Sequence, residues 1–202
     1  TERKQEGVHD HAGGGHSHCG LMIYQSDSWP EEYRGRAYFS NVLGQRINCD
    51  ILERSQSGYV AKHADDFLKG GSDWFRATDL KQGPFGEMMM SEWTDLGECH
   101  DRDGIHRSSG RIYRVWHGDS PKPVSFDVAA MNTMELVGLL SHENVWWRRH
   151  ALRNLYEREQ EGSEAVPILL EKAETRSIKD AVISLQALYA VTGSLDWAES
   201  LY

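Results

Sequence analysis

Two short runs, His16-Ser17-His18-Cys19 and Cys99-His100, carry the side chains in this chain best suited to holding a metal. Imidazole and thiolate are borderline and soft donors, so His16, His18, Cys19, Cys99 and His100 could together ligate zinc or copper. Two other readings of the same residues stay open: a Cys19–Cys99 disulfide tying two loops, or unpaired structural side chains. The cysteines number three, so Cys49 is left over if the other two pair. His100 is also the first candidate for a catalytic general base. It stands in a polar loop with Glu98 and Asp101, and imidazole titrates near neutrality. A solvated surface histidine is the plainer alternative, and His106 presents the same choice.

A second set of residues suits recognition of carboxylates. Arg46, Arg76, Arg107 and Arg111 offer planar guanidinium groups that bind carboxylates by paired hydrogen bonds, with Asn41 and Trp74 in the same segments. The competing reading makes these arginines bridges to acidic groups such as Asp50 or Asp95. Met88-Met89-Met90 reads as buried strand, because alternation sends Met89 to the side opposite its neighbours and breaks up any cluster of sulfurs.

The elements that must position these groups change character near residue 118. Residues 1–20 are polar and rich in glycine and read as a loop or flexible lead-in. Residues 21–117 alternate short β-prone runs with turn clusters. Strands are expected at Leu21–Tyr24, Arg36–Ser40, Arg46–Leu52 and Tyr59–His63, then at Trp74–Leu80, Glu87–Trp93 and Gly110–Trp116. Repeated meanders of this kind are the unit of β-propellers. The second meander lacks a clear fourth strand, which propellers often draw from the opposite end of the chain. Because the chain starts at Thr1, it reads as a processed or trimmed product. If the meanders are blades, Asn41, Arg46, residues 73–76 and the 95–107 loop share one face, with Cys19 entering from the same side.

Residues 118–131 are linker-like, and residues 132–202 take on helical spacing. Asn132 caps a first helix with the apolar stripe Met134, Val137 and Leu140, and Asn144 caps a second with Trp147, Ala151, Leu152 and Leu155. A break is expected at Gly162, followed by a helix from Ala165. The last helix is lined by Ile178, Val182, Leu185, Leu188 and Tyr189 and stops at Gly193. Ala151 aligns with Ala187 and Leu155 with Val191, a two-helix period of the length seen in HEAT repeats. The expected fold is therefore multidomain β plus α: a partial β-propeller of about two four-stranded blades, then an α-helical HEAT-like solenoid.

The formal charge of −9, with 26% charged and 39% hydrophobic residues, argues against nucleic acid and anionic lipid as partners. No stretch approaches the roughly 20 apolar residues that cross a bilayer, so no transmembrane segment is expected.

Several phrases together resemble a known family. They are His18-Cys19-Gly20-Leu21, Trp29 to Gly35, Ser40 to Arg46, Asp73-Trp74-Phe75-Arg76, Gly83-Pro84-Phe85-Gly86, Gly97 to Asp101, Gly110 to Arg114 and Leu140 to Ala151. The chain is similar through them to the membrane-bound dehydrogenases of planctomycete-type bacteria, whose propeller is akin to glucose and sorbosone dehydrogenases. The resemblance implies a periplasmic or membrane-associated protein that oxidises a sugar or alcohol with pyrroloquinoline quinone and calcium. Electrons would pass to a separate acceptor such as a c-type cytochrome, and the arginines would hold the quinone carboxylates. No Cys-x-x-Cys-His haem attachment motif is present, and Phe85 replaces the aspartate of the usual Gly-Pro-Asp-Gly turn. The alternative function is a non-catalytic scaffold that binds carbohydrate or protein.

Overall fold

The computed structural model describes residues 17–94, 96, 106, 108–122, 124–174 and 177–201. They fall into two compact units, residues 1–120 and 121–202.

In the first unit the strands are β1 (His18–Ile23), β2 (Ala37–Asn41), β3 (Arg46–Ser55), β4 (Gly58–His63), β5 (Leu68–Lys69), β6 (Ala77–Gln82), β7 (Met88–Glu92) and β8 (Arg111–Val115). β1 to β4 form an antiparallel meander, and β5 joins the same edge of β3 as β4, further along. β6 to β8 make a second antiparallel sheet. Strict alternation sets which residues face inward. Tyr38, Ile47 and Cys49 from the first sheet meet Leu80, Met88 and Met90 from the second in one buried cluster. Met89 is half-buried, as its opposite parity requires. Trp29 anchors this core, stacked on Tyr24 at 4.4 Å and on Phe67 at 5.5 Å.

The second unit holds α1 (Thr133–Leu139), α2 (Val145–Glu157), α3 (Glu159–Ala173) and α4 (Ile178–Thr192). Asn132 and Glu135 form a reciprocal capping box, Asn144 accepts from the Trp146 amide, and Gly193 closes α4 with φ of 64°. Leu136, Val137, Ala151, Leu155, Ala165, Leu169, Ala187 and Leu188 share a single core.

The expected propeller and solenoid are both corrected by this architecture. Among the described residues there are two open sheets, of five and three strands. A propeller is a closed ring of several four-stranded blades, and two sheets packed face to face have no ring to close. A HEAT solenoid stacks repeats that touch only their neighbours. Here, among the described residues, four helices enclose one core and no row of stacked repeats extends from it. Finer expectations change too. The helix α3 runs through Gly162, because one interior glycine costs only about 1 kcal/mol. Met134, Ile178, Val182 and Tyr189 point outward, while Leu136, Ser184, Ala187 and Leu188 are buried.

Candidate functional site

Several residues singled out in the sequence gather at one end of the two sheets. His18, Asn41, Arg46 and Lys69 form one cross-strand row of the first sheet. Ala77, Glu92 and Arg111 form a row of the second, and the Cys19 thiol lies 3.9 Å from the Ala77 carbonyl. The arginines there are already engaged. Arg46 donates to Asp66 at 2.7 Å and to the Gly44 carbonyl at 2.8 Å. Arg76, buried, donates to the carbonyls of Phe75 and Leu96. Arg111 donates to the Tyr113 hydroxyl at 3.0 Å and lies 3.8 Å from the buried Glu92 carboxylate. Braces of this kind leave the described arginines a poor fit for a carboxylated quinone. Trp74 packs edge-on against His106. A small cleft of about 350 Å³ opens beside Arg46, between residues 44–46 and 69–73.

Arg107, His16, Cys99 and His100 lie outside the described residues, and with them the proposed base and most of the metal set. Burial, followed by the nearby Asp79 charge, raises the Cys19 thiol above its ordinary value. Among the described residues no three His, Cys, Asp or Glu side chains are grouped to hold a metal.

A larger cleft, of about 680 Å³, lies elsewhere on the first unit. That size falls within the range of about 300–1,000 Å³ typical of small-molecule sites. Its aromatic walls are Tyr33, from the single turn Glu31–Tyr33, and Phe67, from the connection between β4 and β5. Their rings meet edge to face at 6.2 Å. Arg36, His63, Asp65 and Asp66 supply polar groups around them, and Tyr38, Cys49, Ile51 and Ala64 form the rest of the lining. The Tyr38 hydroxyl donates to the Tyr33 carbonyl at 3.0 Å, which fixes the short turn against the sheet. Asp66 is held by Arg46 and by the Asn48 amide at 2.8 Å. Burial raises the Cys49 thiol, and a hydrogen bond from Arg36 offsets part of that rise. Burial likewise pushes the Tyr38 phenol upward. Both groups are therefore neutral hydrogen-bonding groups at pH 7.

This cleft escapes sequence patterning because its aromatic walls, Tyr33 and Phe67, come from connections, which have no period. The available signal was the pair of aromatic residues, Tyr33 and Phe67, set in otherwise polar connecting segments.

Fold and site define a two-sheet β unit with a mixed aromatic and polar cleft, followed in the chain by a helical unit. Residues 1–119 match the family described as a domain of unknown function, DUF7133, and the chain belongs to that family. No curated protein and no solved structure matches it. No helix among the described residues is long and apolar enough to cross a membrane.

Proposed function

We propose that the chain is a binding module for neutral, hydroxyl-rich carbohydrate, seated in the cleft between Tyr33, Arg36, Asp65 and Phe67. One observation carries this reading: two half-buried aromatic rings stand beside a guanidinium and an exposed carboxylate in a cleft of about 680 Å³. A sugar ring has apolar C–H faces and a rim of hydroxyls. Aromatic faces bury the former, and charged planar groups form short hydrogen bonds with adjacent pairs of the latter. The overall charge of −9 disfavours anionic ligands, and the cleft mixes both signs.

Calorimetric titration of the chain with a panel of neutral oligosaccharides tests the proposal. Saturable binding that Asp65→Ala and Arg36→Ala each weaken is the expected result. Absence of heat with every sugar at millimolar concentration removes the proposal, and equal affinity in both variants moves the ligand away from this cleft.

A further inference from the structure

The hairpin of β3 and β4 ends in an open sheet edge. Every β4 residue from Gly58 to His63 is exposed, and no strand among the described residues pairs with its outer side. Tyr59 is 64% exposed and Val60 49%, on opposite faces, so the ribbon shows apolar groups on both sides. Open edges of this kind are templates for further strand pairing, and proteins normally blunt them with unpaired charge. Here the charges are spent within the ribbon. Lys62 lies 2.6 Å from Glu53, and the Arg54 guanidinium sits over the Tyr59 ring at 5.4 Å.

We infer that β4 joins two copies of this chain edge to edge, antiparallel, with Val60 facing Val60. The register follows from hydrogen-bond parity. The tight turn makes Ser55 and Gly58 a bonded pair, so Gly58, Val60 and Lys62 point their backbone groups at β3. Tyr59 and Ala61 turn theirs to the open side. Setting Tyr59 opposite the second copy's Ala61 pairs each of those N–H groups with a carbonyl. It also brings Lys62 opposite Gly58, so no like charges meet. On a chain of charge −9, a ribbon whose charges cancel internally is where two copies can approach without strong repulsion. The contact is small, so the dimer is weak.

This register has a consequence for the cleft. Its two-fold axis stands perpendicular to the sheet, which keeps Ile51 of both copies on the same face. Strand spacing and rise put those two residues about 20 Å apart. Both clefts, which Ile51 lines, would then open near one face of a continuous sheet, a spacing suited to bivalent capture of one long chain. That corollary rests on the carbohydrate reading; the dimer does not, and it is tested without sugar.

Sedimentation equilibrium of the full chain from micromolar to millimolar concentration should show a monomer–dimer equilibrium. Val60→Lys sets cations face to face at the axis and should raise the dimer Kd by roughly tenfold or more, with an unchanged thermal melt. Val60→Cys should give a disulfide-linked dimer under mild oxidation, mapped to position 60 by mass spectrometry. Directly opposed residues of a non-bonded antiparallel pair lie about 4.5 Å apart at Cα, within disulfide reach. A wild-type chain that stays monomeric at millimolar concentration, a dimer indifferent to Val60→Lys, or a Val60→Cys protein that does not link at that position would each overturn the inference.

Discussion

The Tyr24 hydroxyl donates a 2.9 Å hydrogen bond to the Gly86 carbonyl, a buried contact between residues 62 positions apart. It ties the end of the first sheet to the turn between β6 and β7. The turn needs no aspartate at position 85. Gly86 closes it at φ of 83°, and the Phe85 amide donates to the buried Glu87 carboxylate, which Arg114 also holds at 2.9 Å. A side chain at Gly86 would collide with Ser28, so the two segments are pressed together.

Replacing Tyr24 by Phe keeps the stack on Trp29 and removes only the hydroxyl. The buried Gly86 carbonyl then loses its partner, which costs about 1–3 kcal/mol. Urea denaturation of the two proteins measures the difference, and equal midpoints would show that the bond contributes nothing.

Trp29 is a deeply buried aromatic anchor, sandwiched between Tyr24 and Phe67 and only 3% exposed. Trp29→Ala is expected to destabilise the first unit by about 3–5 kcal/mol, the range for truncating a large core aromatic. Because Phe67 also walls the cleft, any ligand affinity should fall with it, whereas Asp65→Ala should lower affinity and leave the melting temperature in place. A parallel loss of stability in Asp65→Ala would mean that this carboxylate is structural.

Much of the local structure was legible in the sequence. Alternation from Arg46 onward and the Gln56-Ser57-Gly58 turn fix β3, β4 and their hairpin, and Asn132, Asn144 and Gly193 mark helix ends by their capping chemistry. Closure was not legible. An antiparallel meander has the same local pattern whether it packs on one neighbour or on a full ring, so β1–β4 and β6–β8 could not announce an open pair. Helix faces were half legible. Ile178, Val182 and Tyr189 lie at helical spacing, but small residues, Ser184 and Ala187, let α4 approach its neighbours on the other side. The cleft was hidden because Tyr33, Asp65 and Phe67 belong to connections.

His150 gives the second unit a pH dependence. Burial, then the nearby Arg153 charge, lowers its imidazole below the ordinary value of 6.5, with its ring 3.9 Å from Trp146. The folded state thus binds this proton less readily than the unfolded chain. Its contribution is fully present above pH 6.5 and is lost as pH falls from there toward the lowered folded value. His150→Phe keeps an aromatic ring and removes the titration, so the slope of stability against pH in this window should flatten. An unchanged slope would assign it to other groups.

The cleft thiol reports on Arg36. Cys49 titrates above its ordinary 9.0 because burial disfavours the thiolate, while the Arg36 hydrogen bond and charge pull the other way. Alkylation requires the thiolate, so labelling of Cys49, followed by peptide mass spectrometry, should be slow at pH 8 and rise only beyond pH 9. Arg36→Met removes the opposing pull, keeps most of the side-chain bulk over the sulfur and should move the midpoint of the rate–pH curve further up. Truncation to alanine would also open the cleft and ease the burial that raises the thiol, so methionine is the cleaner substitution. A midpoint that stays fixed or moves down in Arg36→Met would show that the guanidinium does not face the sulfur, and with it would go the placement of Arg36 as a donor to whatever the cleft holds.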